Sequence, residues 1–469
     1  RPTVRASTSA QRAAHGSPAD RVSLEGPERH EVTNRYSERR DDIIAAATMV
    51  FNQRGIKGAS LREIAQRLHQ TTTSINYYFP TKDALAAECL MRSIDMLASV
   101  ARQADRLPDP RQRIAALVYG YVDVMRRVRH GHHPPVLVLS EVLSIPAPHA
   151  EAVRKRYREM YRSIRSLLTP VTPGLSGSPA LNARAHLLLS ILLWMTAWLH
   201  RFEDEALAHV AETVTDLLIH GLAEKPLRPT WPQVPRRIPK PLMDAEPRLR
   251  FLRAATGLIN QFGYRGASID RISAELNLTK GAFYHHLEAK SDVVLECFRR
   301  TFAVMTLHLD AALRPRTTGT GARRLYEFCA GLVRVQLSPD DVLLRTSALQ
   351  AVPPGIRSEL LAGFKAFSLG LGRLIEDGIA DGSLRRTDPE IAAELVSAMI
   401  NSASELGRWT PDPDGTMVSR DFIRPLFNGI VEFRSALASP PARRDRSAGV
   451  STREDPSQTP SHRDTGSSK

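Results

Sequence analysis

Asn52–Ala65 reads NQRGIKGASLREIA, and Asn260–Ser273 reads NQFGYRGASIDRIS. The echo widens without gaps until Arg40–Leu90 returns as Arg248–Phe298. Ala46-Ala47-Thr48 comes back as Ala254-Ala255-Thr256, while Ile64, Leu68, Thr71, Lys82, Glu88 and Cys89 come back as Ile272, Leu276, Thr279, Lys290, Glu296 and Cys297. A repeat this long is not the short period of a stacked solenoid. It reads as one module with its follow-on domain, duplicated head to tail.

Each copy opens with apolar residues at helical spacing, Ile43, Ala46, Ala47, Val50 and Phe51 in the first and Phe251, Ala254, Ala255, Leu258 and Ile259 in the second. Gly55 and Gly263 then supply the left-handed residue that ends a helix. Ser60 with Glu63 predicts a capping box at the start of a second helix, of which Ser268 and Arg271 keep only half. After Leu68 the chain must turn and restart at the helix cap Thr71, so a third helix is expected over about 72–79 with Ile75 inward.

Short helix, tight turn, short helix is the helix-turn-helix plan, whose second helix enters the major groove of DNA. The faces left outward carry hydrogen-bonding and aromatic groups suited to base edges and phosphates. In the first copy these are Thr72, Thr73, Ser74, Asn76 and Tyr77, and in the second Lys280, Tyr284, His285 and His286; Thr71, Tyr78, Thr279, Gly281 and Ala282 are counted with them as candidate DNA contacts. Lys82 and Lys290 open a fourth helix, where positive charge beside free amides makes a phosphate clamp.

Thr71–Leu85, TTTSINYYFPTKDAL, and Thr279–Val293, TKGAFYHHLEAKSDV, resemble the recognition-helix signature of TetR-type transcriptional regulators. The resemblance implies an all-α fold: two tandem units, each a three-helix DNA-binding head on a larger helical bundle. It further implies a small-molecule effector and a four-helix dimer interface near the C-terminal end of each body, with candidate helices 181–222 and 389–437. His69 and Asn277 replace the family's turn glycine, Asn76 stands where Tyr284 keeps the usual aromatic, and Leu287 replaces the Phe kept at Phe79. Side chains this different read different bases, so two unlike half-sites are expected.

The chain has 469 residues, enough for three or four domains. Its net charge of +14 suits an acidic polymer as partner, although scattered arginine is also what an ordinary solvated surface carries. Cys89, Cys297 and Cys329 argue against a disulfide framework and for a reducing cytoplasm, with the first two in equivalent packing positions. No signal peptide is visible, and the apolar stretch 187–199 reads as a core helix rather than a membrane span. The expectation is a cytoplasmic, nucleoid-associated protein with no membrane partner.

The expected boundaries are a polar, disordered tail over 1–38, a first head over 39–97 with its helix-turn-helix at about 61–80, and a helical body over 98–223. A Pro-rich linker covers 224–246, followed by a second head over 247–305 with its helix-turn-helix at about 269–288, a second body over 306–438 and a tail over 439–469. In the first body a helical piece is expected near 136–144. Trp194 and Trp198 lie on a helix apolar nearly all round, and Tyr119, Tyr121 and Met125 could join them in lining a ligand cavity. Plain core or subunit interface is the simpler reading of the same residues. His130, His132 and His133 lie before Pro134-Pro135 in a loop without a carboxylate or cysteine at ligand spacing, so no metal is expected. No phosphate loop, nucleophile elbow or zinc-protease motif appears, so neither catalysis nor a cofactor has sequence support.

The leading expectation is a sequence-specific, double-stranded-DNA-binding regulator, a ligand-responsive repressor with an asymmetric operator. One chain could fold as an intramolecular pseudo-dimer, or two chains could form a four-headed homodimer. The rival reading is a ligand- or partner-binding protein of the same fold whose heads no longer grip DNA.

Overall fold

The computed structural model describes residues 27–139, 142, 145–169, 178–228, 247–275, 290–314, 319–338, 343–345, 348–349, 352 and 354–431. Among these residues the regular structure is helical, apart from one bridge between Ala223 and Leu384. The first half comprises α1 (Pro27–Arg54), α2 (Leu61–Arg67), α3 (Thr72–Tyr78), α4 (Lys82–Ala104), α5 (Pro110–Arg129), α6 (Ala150–Ser166), α7 (Pro179–Trp198) and α8 (Leu207–His220). The second comprises α9 (Pro247–Gly266), α10 (Ile269–Glu275), α11 (Lys290–Leu313), α12 (Gly321–Leu337), α13 (Pro354–Ala380) and α14 (Pro389–Ser402). It closes through Gly415–Met417 and the π-helical turn Val418–Ile423 into α15 (Arg424–Asn428).

Two expectations need correction. Helix α1 is described from Pro27 onward, inside the segment expected to be a disordered tail. In the piece expected as a helix near 136–144, Val136–Val138 carry no regular structure and Leu139 and Val142 lie in 3₁₀ turns, while 140, 141, 143 and 144 lie outside the described residues. Side chains from the head take up its backbone groups in place of helical bonds.

Those side chains form a clasp that occurs twice. Asn52 donates Nδ2 to the Val136 carbonyl at 2.8 Å and accepts from the Val138 amide at 3.0 Å. Ser93 accepts from the Leu137 amide between them at 2.8 Å. In the second half Asn260 bonds the Leu343 carbonyl and the Arg345 amide, both at 2.9 Å, and Thr301 accepts from Leu344 at 3.0 Å. Each head is thus sewn to an extended strip of its own body by the side chains of its first and fourth helices.

The head cores follow the apolar spacing. Ile43, Ala47, Phe51, Ile64, Ile75, Leu85 and Cys89 are buried in the first, and Phe251, Ala255, Ile259, Ile272, Val293 and Cys297 in the second. Burial pushes the Cys89 and Cys297 thiols up to about 12, and each lies against a carbonyl of its first helix, Ile44 and Leu252. Such thiols behave as small apolar groups.

The two halves meet along α7, α8, α14 and α15. Helix α7 is apolar nearly all round and largely covered: Leu187, Leu188, Ile191, Leu192 and Met195 are buried. It lies within a stretch, Pro179–Arg201, long and apolar enough to cross a membrane by composition alone. Polar groups register the contact. Arg184 donates to the Ile430 carbonyl at 2.8 Å, His186 bonds the Ser402 carbonyl at 2.9 Å, and Trp194 donates Nε1 to Glu394 at 2.8 Å. Tyr161 stacks on Trp409 with centroids 3.5 Å apart.

At the ends of α8 and α15 the halves exchange backbone bonds reciprocally. Leu222 N donates to Leu426 O at 3.0 Å, and Ile430 N donates to Leu218 O at 2.8 Å. Gly221 and Gly429 adopt φ of 80° and 96°, and a Cβ on either would fall 2.2 or 2.3 Å from the carbonyl oxygen of Phe427 or Ile219 across the seam. Residue i meeting j while the equivalent of j meets the equivalent of i is the signature of an isologous, two-fold contact. Here it is made within one chain.

Candidate nucleic-acid interface

The first head is built by local devices. Ser60 Oγ accepts from Glu63 N at 3.2 Å while Glu63 Oε2 accepts from Ser60 N at 2.9 Å, closing the expected capping box. Helix α2 ends in a left-handed His69, φ 52°, with Gln70 N bonded to Ala65 O at 2.8 Å and His69 N to Gln66 O at 3.1 Å. That bonding normally uses glycine or asparagine in the left-handed place. Thr71 then caps α3 by accepting from Ser74 N at 3.3 Å. Thr81, which the sequence reading passed over, caps α4 through Ala84 N at 3.1 Å; its place before Lys82 was the available signal.

These caps aim α3. Ile75 and Phe79 point into the core, while Thr71, Thr72, Thr73, Asn76 and Tyr77 are exposed and Ser74 and Tyr78 partly so. Tyr77 is 75% exposed, a large cost in unburied apolar surface for a side chain that makes no core contact. Lys82 stands at the first residue of α4, as expected, and its Nζ donates to the Ala59 carbonyl at 3.1 Å and the Lys57 carbonyl at 3.5 Å. The ammonium therefore staples the loop ahead of α2 and brings positive charge to the start of α4.

In the second head Gly263 takes φ 71° between two helical stretches, and Ser268 accepts from Arg271 N at 3.2 Å, the surviving half of the capping box. Lys290 opens α11. Thr279, Lys280, Gly281, Ala282, Tyr284, His285 and His286, together with the turn residue Asn277, lie outside the described residues.

The five residues proposed to line a ligand cavity separate. Met125 and Trp194 do line a cleft of about 2490 Å³ between the halves, along with Asn52, Asn260, Arg345 and Glu394. Tyr121 and Trp198 are fully buried in the body instead, Trp198 edge-on to Phe202. Tyr119 is 46% exposed, which removes it from any cavity. Two residues along a helix rotate about 200°, slightly more than half a turn, so Tyr119 and Tyr121 cannot share a face. His130 is engaged by Asp204, which also takes Arg129 at 2.7 Å, so this loop ties α5 to the segment before α8.

Residues 43–89 and 251–297 each match the family described as bacterial regulatory proteins, tetR family. The chain is 25% identical over 151 residues to the HTH-type transcriptional regulator YhgD of Bacillus subtilis, covering 31% of this chain and 75% of that protein. It is 35% identical over 96 residues to the HTH-type transcriptional activator FasR of Mycolicibacterium smegmatis, covering 20% and 44%. With the HTH-type transcriptional repressor DhaR of a Mycobacterium species it shares 24% over 154 residues, covering 32% and 77%. The crystal structure of PfmR, a TetR family transcriptional regulator from Thermus thermophilus, aligns at a TM-score of 0.34 and 21% identity, over 38% of this chain and 98% of that one. Both helix-turn-helix segments match that family, and together with these relatives they support a tandem TetR-family regulator with two DNA-binding heads.

Proposed function

We propose that this chain represses transcription as a single-chain pseudo-dimer, each head binding one of two unlike half-sites in the same operator. The observation that carries this reading is the reciprocal seam at Gly221 and Gly429, where the halves bond each other as two subunits of a dimer would. A family member needs two heads for two successive major-groove faces, and one chain supplies both. Thr71, Thr72, Thr73, Ser74, Asn76, Tyr77 and Tyr78 are assigned to one half-site, with Lys82 on its backbone. Thr279, Lys280, Gly281, Ala282, Tyr284, His285, His286 and Lys290 are assigned to the other.

A small effector would act by favouring a head spacing that DNA does not accept, shifting the population by its differential affinity. The cleft between the halves, edged by Asn52 and Asn260 of the two clasps, is the space where a bound molecule would touch both heads' supports.

The test is to select duplexes from fragmented genomic DNA with the full chain, then weigh the complex by analytical ultracentrifugation. One chain per duplex, on a site without two-fold symmetry, is the expected result. Two chains per duplex, or a palindromic site, would overturn the pseudo-dimer.

A further inference from the structure

Tyr36 lies on the part of α1 that precedes the repeated segment, and its ring meets two tyrosines of α3. The centroids of Tyr36 and Tyr78 are 4.8 Å apart at a tilt of 34°, those of Tyr36 and Tyr77 6.1 Å apart and edge-on, and those of Tyr77 and Tyr78 5.1 Å apart and edge-on. The next turn of α1 docks on the same unit. Arg39 donates Nε and Nη2 to the Gln70 side-chain oxygen at 2.9 and 3.1 Å when that amide is turned to accept them, and the Arg40 guanidinium sits 5.0 Å over the Phe79 ring. The start of α1 thus grips the turn, the last turn of α3 and its C-cap. Neighbouring residues on a helix diverge, so Tyr77 and Tyr78 would not hold each other in place alone. Tyr36 stands against both.

We propose that Tyr36 is a positioning residue for sequence reading by the first head. Packed on Tyr78, it holds the exposed Tyr77 ring upright on the outward face of α3, so that the hydroxyl meets DNA in one preset orientation. Preorganisation of this kind removes ordering costs otherwise met on binding. By sequence the second copy does not repeat these tyrosines: the equivalent positions are Asp244, His285 and His286. The proposal rests on α3 being the DNA-reading helix.

The test uses the full chain and a duplex that the wild type selects from a random-sequence pool. Tyr36→Phe keeps the ring and should bind as the wild type does. Tyr36→Ala should bind ~3- to 10-fold more weakly, the range of an aromatic pair. Its base preference should relax only in the half-site that Asn76→Ala also alters, and it should add no further loss to Tyr77→Ala. Circular dichroism and Tm establish that each variant is folded. Equal losses from Tyr36→Ala with and without Tyr77 would overturn positioning, as would no loss where Tyr77→Ala has one. If Tyr77→Ala and Asn76→Ala both bind normally, the reading role of α3 itself is refuted and this proposal with it, a pattern unlike either of the others.

Discussion

His69 occupies a left-handed position that a branched imidazole enters at a cost and glycine does not. His69→Gly should therefore raise stability by about 0.5–1 kcal/mol, measured as a higher urea midpoint at unchanged slope. The sequence signal was a histidine standing where a turn glycine was expected, and it proved legible. Lys82 was legible in place but not in partners. A lysine opening a helix announces charge near a phosphate, whereas its bonds to the Ala59 and Lys57 carbonyls depend on where the preceding loop folds. Lys82→Ala should weaken binding to all duplexes alike and lower the salt dependence by about one unit, read from affinities at several salt concentrations. It should also lower Tm slightly, since the loop loses its staple. Tyr119 was misread for a geometric reason: two tyrosines close in sequence were treated as sharing a face that the helix divides between them.

At the scale of elements, the caps and apolar spacing of the heads were readable because they are local, each satisfied within a few residues. The clasps were not. Asn52-Gln53 and Asn260-Gln261 were visible as repeated pairs, but the carbonyls and amides they serve lie more than eighty residues away, and no periodicity carries that information. Asn52→Ala leaves the Val136 carbonyl and the Val138 amide without their side-chain partner, so it should cost about 1–3 kcal/mol. Asn260→Ala should cost a similar amount, since its two bonds are of the same kind. Thermal unfolding of the two single variants and the double variant checks both, with near-additive losses expected because the clasps share no residue. The early start of α1 escaped the sequence reading for another reason. The sequence ahead of Arg40 is polar and carries no core stripe, while Tyr36, Arg39 and Arg40 dock on Tyr78, Gln70 and Phe79, much later in the chain.

For the whole molecule, the sequence displayed duplication, and the apolar helix later seen as α7 invited either a core or an interface reading. The sequence offered 181–222 and 389–437 as candidate interface helices but left open whether they pair within one chain or between two, because the backbone bonds at Gly221 and Gly429 carry no pattern of their own. Its interior also sets a pH response. Burial pushes the His186 imidazole below its usual range, against the pull of the Ser402 carbonyl, and burial does the same to His308. Folded-state values that are depressed mean that the unfolded chain binds protons first on acidification. Stability should therefore be level above about pH 7 and fall as pH drops below about 6.5, the ordinary histidine value. His186→Gln, which can still donate to Ser402, should flatten part of that slope in denaturant titrations run at several pH values.

A seam between halves of one covalent chain changes what copy number means. Separate subunits find each other by collision, so their pairing fades as they become scarce. With Leu222 and Ile430 reaching across from two stretches of one thread, the pairing is unimolecular, and thinning the protein in a cell or a test tube leaves it intact. The occupancy of a target would then follow the amount of chain in direct proportion, without the threshold that assembly from loose halves imposes.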